Sequence, residues 1–239
     1  MSKSKSAFTH FMLITASTIS LAAQTGKILN QPIPFSFQAN TCPDYGQIPG
    51  KNMIEKAVTE YKRKLTGCEA TSETFQVDAN SSIELVRFTY SFRESDYTER
   101  HQFSCLVQRP SNLMLWHDFV SSPDNSLESV RVLHSEKRTI LEMKFFTGGT
   151  AGFWEEYLEY SNGKLKPIRE SFVSEIKPHI PEGFSIRRVV VDIEALTAII
   201  HLASRTDPNC CPSGQLNVTL TLKDDDLHLV NSTFSRSSK

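Results

Sequence analysis

The densest set of chemically capable residues is Asp207-Pro208-Asn209-Cys210-Cys211-Pro212-Ser213-Gly214, two adjacent thiols between prolines with a carboxylate and a hydroxyl close by. Flanking prolines and a terminal glycine describe a stiff, turned loop. A nucleophilic cysteine here would need an imidazole or a positive helix end to lower its pKa. His201 lies upstream in the adjoining strand pattern, but spacing alone does not bring it to either thiol. Disulfide bonding is the simpler chemistry. Zinc would need a paired Cys-x-x-Cys or Cys/His spacing that this loop lacks, so no metal and no cofactor is expected.

A second loop, Thr147-Gly148-Gly149-Thr150-Ala151-Gly152, is rich in glycine. Phosphate-cradling loops open onto a helix whose amides face the anion. This one runs into Phe153–Tyr160, an aromatic stretch that reads as a strand, so a nucleotide role is not expected. Phe145, Phe146, Phe153, Trp154, Tyr157 and Tyr160 crowd around it and read mostly as core. Were several of them exposed, the loop would be the first place to seek a ligand surface.

The remaining candidates are scattered. His117-Asp118 and Glu155-Glu156 are neighbours in strand patterns, so each pair points to opposite faces and forms neither a base–orienter pair nor a glycosidase pair. Asp224-Asp225-Asp226 lacks the alternating donors and glycine of a calcium loop and reads as a solvated turn. His134, His179 and His228 occur singly. No Gly-x-Ser-x-Gly elbow or His-Glu-x-x-His set is present. Asn80, Asn217 and Asn231 begin glycan-acceptor triplets, relevant only in a glycosylating host.

These residues need a scaffold, and its compartment comes first. Lys3 and Lys5 precede an uncharged, mostly apolar run, Phe11–Ala23, with Ser20-Leu21-Ala22 offering small residues at a cleavage site. Residues 1–23 therefore read as an export signal. The run is too short for a membrane span, and no cysteine follows Ala23 to accept a lipid. Removal of 1–23 takes Lys3 and Lys5 and no acid, leaving 24 basic and 27 acidic residues of the original 26 and 27. That mixed surface carries no electrostatic footprint for nucleic acid or anionic lipid. The expected product is soluble and periplasmic or secreted.

Export makes disulfides the default for Cys42, Cys68, Cys105, Cys210 and Cys211. Cys42 and Cys68 flank one predicted helix and are expected to pair. The favoured second bridge joins Cys105 to Cys210 or Cys211; the rival is a vicinal Cys210–Cys211 ring. An odd count leaves one thiol over.

Residues 24–72 form a lead. Gln24–Gly50, with Pro32, Pro34, Pro43 and Pro49, reads as an extended edge segment or as a loop packed by Ile33, Phe35 and Phe37. A helix is predicted over Met53–Leu65 from the spacing of Ile54, Ala57, Val58, Tyr61 and Leu65. Asn52 with Glu55 resembles a capping box, Gly67 suits the far end, and Lys62, Arg63 and Lys64 suit the last turn.

From Glu73 to the end the chain is mainly β and is parsed as three four-strand meander units. The first runs Glu73–Asp78, Ile83–Phe92, the loop Arg93–Glu99, Arg100–Gln108, Arg109–Asn112 and Leu113–Val120. The second runs Leu127–His134, Thr139–Thr147, Gly148–Gly152, Phe153–Ser161, the Asn162-Gly163 turn and Lys164–Val173. The third runs Phe184–Glu194, Thr197–Ser204, Arg205–Gly214, Gln215–Leu222, Lys223–Asp226 and Leu227–Arg236. Second strands start at Ile83, Thr139 and Thr197, a period of about 56–58 residues. About twelve short antiparallel strands would make a sandwich, an open barrel or small stacked sheets; three units are too few for an ordinary propeller. Residues 73–239 are taken as one β domain.

The segment Asp207–Gly214, followed by the strand Gln215–Leu222, resembles the C-terminal part of the LppP/LprE-type exported lipoproteins. There, too, a Cys-Cys-Pro-Ser loop precedes a strand rich in threonine and valine. The resemblance spans about thirty residues and implies an exported, non-catalytic role. This chain lacks that group's lipid-accepting cysteine, and the resemblance supplies no catalytic residues.

The expectation is an exported soluble binding or inhibitor-type protein acting without catalysis, its partner another exported or envelope protein. The three second-to-third-strand loops occupy equivalent places, and loops on a rigid scaffold are where recognition concentrates. Thr147, Gly148, Gly149, Thr150, Trp154, Asp207 and Asn209 are the expected ligand contacts. The competing readings are a hydrolase assembled from His117, His201, Asp207 and Ser213, and a structural envelope domain.

Overall fold

The computed structural model describes residues 27–38, 40–49, 64–94, 97–120, 126–135, 138–146, 153–207 and 211–236. Residues 1–23, expected as a signal, and 53–63 of the expected helix lie outside the described residues. Those described contain thirteen strands and one short α-helix, arranged as three antiparallel sheets that do not close into a barrel.

The first sheet holds β1 (Lys27–Pro34), β2 (Lys64–Gln76), β3 (Ser82–Glu94), β4 (Tyr97–Arg109) and β5 (Leu113–Val120), in the order β1-β5-β4-β3-β2. The second is a meander of β6 (Leu127–Ser135), β7 (Arg138–Phe146), β8 (Phe153–Ser161) and β9 (Lys164–Pro167). The third repeats that order with β10 (Phe184–Asp192), β11 (Thr197–Ser204), β12 (Gly214–Lys223) and β13 (Asp226–Arg236). Helix α1 (Phe172–Glu175) links the last two sheets.

Most strands follow from local patterning. Asn162 and Gly163 both adopt positive φ, 51° and 72°, the two-residue turn whose twist suits a hairpin. Asp224 and Asp225 do the same at 50° and 58° between β12 and β13, so the aspartate run is a tight turn.

Three expectations need correction. The predicted helix does not reach its end: Lys64 and Leu65 lie in β2, paired with Arg93 and Phe92 of β3. The long neighbouring strand offers every residue a ladder partner, and that tertiary pairing overrides helical spacing. Of the two readings of the lead, the extended edge segment describes Lys27–Pro34, which pairs with β5 as a further strand. The expected Arg93–Glu99 loop is largely strand, because Arg93 pairs with Thr98 and Glu94 with Tyr97 in register. The strand expected over Lys164–Val173 stops at Pro167, and Phe172 and Val173 are helical.

Three cores hold the sheets. Ile83, Leu85, Leu106 and Trp116 of the first sheet pack with Leu141, Met143, Phe145 and Leu158 of the second. Leu133, Ile140 and Tyr157 of the second pack with α1 and with Ile200, Leu202, Leu216 and Val218 of the third. The far face of the first sheet carries Val86, Phe88, Tyr90, Phe92 and Phe103, covered by Phe35 and Ile48 of the lead. β3 is thus apolar on both sides, as a strand between two packed layers must be.

The third sheet is tied to its linker by polar contacts. Asp226 is buried and accepts from Ser171 N (3.0 Å) and Ser171 Oγ (2.8 Å), while Glu175 accepts from Leu229 N (2.7 Å) and lies 2.8 Å from His228 Nδ1. Helix α1 is too short to be stable alone; these bonds and its buried Phe172 hold it.

Cys42 and Cys68 form the expected disulfide. Cys105 is a buried free thiol, so the bridge from Cys105 to Cys210 or Cys211 is not made. Its side chain belongs to the outer core of the first sheet, among residues of that sheet and the lead, with no third-sheet residue in the cluster.

Candidate functional site

Thr147, Gly148, Gly149, Thr150, Asn209 and Cys210 lie outside the described residues. Trp154 and Asp207 are placed, on different sheets. Trp154 is half-buried on β8 and stacks on Phe145, with centroids 4.3 Å apart and planes at 11°. Beside it Phe146 and Phe153 sit 5.6 Å apart, and Lys144 Nζ lies 4.4 Å from the Phe153 ring centroid. Phe146, Phe153 and Trp154 all keep partial exposure. The mouth of the Gly148–Gly152 connection is therefore an aromatic platform of Phe146 and Phe153 with Lys144 on one face of the sheet, while Trp154 lies on the opposite face against Phe145.

Asp207 has a structural occupation. Its Oδ2 accepts from Ser204 N at 2.7 Å, Ser213 N at 3.0 Å and Ser213 Oγ at 2.7 Å. Three donors on one oxygen favour the charged form and hold this carboxyl well below the usual carboxylate range. Beside this brace, Gly183, Phe184, Ser185, Ser204 and Arg205 line a shallow recess of about 290 Å³. Gly214 is wedged there: a Cβ on it would lie 2.8 Å from Phe184 and 3.1 Å from Phe234.

The four residues weighed for hydrolysis are not assembled. His117 lies on β5 of the first sheet, stacked near Phe103 at 6.0 Å, while His201, Asp207 and Ser213 belong to the third. Ser213 donates to Asp207 rather than to an imidazole. The imidazole that has both a hydroxyl and a carboxylate is His101: its Nδ1 is 3.0 Å from Tyr45 Oη and its Nε2 is 3.1 Å from Glu99 Oε1. The second contact is at ion-pair distance but off the hydrogen-bond direction, since Nε2 has no aligned partner. The hydroxyl is a phenol whose pKa is pushed up by burial and by Glu99, so it is held neutral rather than activated.

What sequence reading missed lies between the first two sheets. Asp118 is only 4 % exposed, in register with the buried Ser104. Its carboxylate receives Phe119 N at 2.9 Å on Oδ1, while buried Oδ2 has no partner. Glu156, on the same face of β8 as Trp154, has a buried Oε1 that is likewise unpartnered. Burial raises Asp118 to about 7; burial and then the charge of Asp118 raise Glu156 to about 7. Glu170, in the linker after β9, also acts on Glu156 and is itself lifted to about 7 by burial. Among the described residues no third ligand completes a metal-holding group.

Two buried carboxyls raised toward neutrality, one acting on the other by its charge, are groups suited to acid or base chemistry. The signal was present as an acid at core-facing parity in each of two apolar strands, Leu113–Val120 and Phe153–Ser161. Sequence reading had looked for such a pair between adjacent residues, whereas it forms across sheets.

Comparison with known families, with curated proteins and with solved structures finds no match. No helix among the described residues is long and apolar enough to cross a membrane.

Proposed function

We propose that the protein is an exported, soluble binding or inhibitor-type protein acting without catalysis, built from three copies of one meander unit. Its recognition face is the aromatic platform at the β7–β8 connection, with Thr147, Gly148, Gly149, Thr150 and Trp154 as contacts. Asp207 and Asn209 of the third-sheet loop are a second contact element. The observation that carries this reading is the partial exposure of Phe146 and Phe153 beside Lys144, with Trp154 also partly exposed on the opposite face of the same strand end. Aromatic residues with a nearby cation are the side chains that anchor interfaces. The resemblance of Asp207–Leu222 to the LppP/LprE-type proteins and the signal-like residues 1–23 support export. The partner is then another exported or envelope protein.

Non-reducing pull-down from envelope extract tests this, using wild type beside Trp154→Ala and, on the exposed face of β11, Ile199→Ser. A stoichiometric partner lost only with Trp154→Ala is the expected result. Equal capture by all three proteins, or turnover of a small ester or peptide, overturns it. The Asp118–Glu156 pair favours one second reading, a hydrolase whose acid and base come from facing sheets. That reading requires activity in wild type that vanishes in Glu156→Gln.

A further inference from the structure

Residues 35–38 and 40–49 cross the outer face of the first sheet, held there among the described residues by a short set of bonds. Phe35 and Ile48 are buried against that face, with Phe37 and Tyr45 packed partly into it. The polar ties are Phe35 N donating to Asn112 O (2.7 Å), Tyr90 Oη donating to Pro43 O (2.8 Å) and the Tyr45–His101 contact. The β1 pairing that leads into the segment is broken by a register shift between Ile28 and Ile33. One covalent bond completes the attachment: Cys42 in the segment to Cys68 on β2, the edge strand. Cys42 is half-buried and Cys68 is exposed, so solvent reaches the bond from the sheet margin.

We propose that residues 35–38 and 40–49 belong to a redox-released strap, latched over the aromatic face by Cys42–Cys68 and freed when a dithiol reduces that bond. A thiolate of the reductant attacks Cys68 Sγ, the bond to Cys42 breaks, and the Cys42 thiolate takes up a proton. The reductant's second thiolate then displaces Cys68 from the mixed disulfide, and that sulfur is protonated in turn. The products are two cysteine thiols and one oxidised dithiol. Without the latch, the segment keeps, among the described residues, three polar ties and its apolar contacts, and local opening becomes far more frequent than global unfolding. What it uncovers is the layer of Phe88, Tyr90, Phe92 and Phe103, together with the thiol of Cys105, which is 0 % exposed while the strap is on.

Cys105 makes the test internal. The full-length protein is treated with dithiothreitol or left oxidised, desalted and pulsed with N-ethylmaleimide. Labelled peptides are then mapped, and amide exchange is followed in β11 and β12. Cys105 is expected to stay unlabelled in the oxidised protein and to react at least about tenfold faster after reduction, with β11 and β12 still protected. The double variant Cys42→Ser with Cys68→Ser should show the fast reaction without reductant. Labelling of Cys42 and Cys68 with Cys105 as slow as before overturns the strap. So does Cys105 labelling that appears only together with loss of protection in β11 and β12, which would be global unfolding.

Discussion

The two faces of the first sheet are built on opposite terms. On the outer face, aromatic rings meet edge to face, as Tyr45 does with Tyr90 and with Phe92 at 5.0 Å, and the Tyr90 hydroxyl finds a backbone carbonyl. The inner face, against the second sheet, is equally well buried, yet Arg87 Nε and Asp118 Oδ2 there lack partners, and so does Glu156 Oε1 opposite. Among the described residues the outer face leaves only His101 Nε2 without an aligned partner and keeps Glu99 3.1 Å from it. An unpartnered buried polar group costs about 1–3 kcal/mol. The outer face is therefore a store of stability, dependent on a covalent latch. The seam holds a debt that protonation reduces, dependent on pH.

The largest expected effect lies on the outer face. Phe88→Ala removes a fully buried ring and should cost about 3–5 kcal/mol in chemical denaturation. A cost under about 1 kcal/mol would mean that the strap collapses into the gap and the two faces differ less than argued. Next comes the latch. Cys42→Ser with Cys68→Ser opens a loop of 26 residues and should lower stability by about 3 kcal/mol through the gain in unfolded-chain entropy. Unchanged urea midpoints would show that the bond adds nothing to stability.

The seam should respond in the opposite direction. Asp118 has a folded pKa of about 7, above its unfolded value near 4. The native state therefore binds the extra proton, and the stabilisation is full below about pH 4 and lost as pH rises through about 7. Wild-type stability measured by urea titration should fall from pH 5 to pH 8. Asp118→Asn should flatten that fall and raise stability at pH 8 by about 1–2 kcal/mol. A fall of the same size in the variant would assign the pH dependence elsewhere. The smallest effect belongs to a position outside the contest. Gly163→Ala places a side chain at φ 72° and should cost about 1 kcal/mol by thermal melting at any pH.

Much of the β architecture was legible locally. The bounds of β5, β8 and β11 follow from alternation and from turn residues such as Asn162-Gly163, because each signal is complete within a few residues. The Cys42–Cys68 pairing was legible for a similar reason, as the two cysteines bracket one short stretch. The expected loop contacts were legible only as composition. Trp154 proves to stack on Phe145 on the side facing the first sheet, whereas Asp207 is committed to bracing its own loop. The acid pair was not legible, because Asp118 and Glu156 are 38 positions apart and meet only when two sheets pack.

By itself, then, the amino-acid sequence determined the number and order of the meanders, the tight turns and one disulfide. Strand alternation and turn chemistry act between near neighbours and need no knowledge of the rest of the chain. Only the tertiary structure decided that Lys64 and Leu65 join a strand, that the lead becomes a fifth strand and a cover, and that Cys105 stays a thiol. It alone set two carboxyls into one apolar seam. Each of these depends on which surfaces come together, and burial and backbone pairing between distant segments outweigh the local preferences that sequence displays.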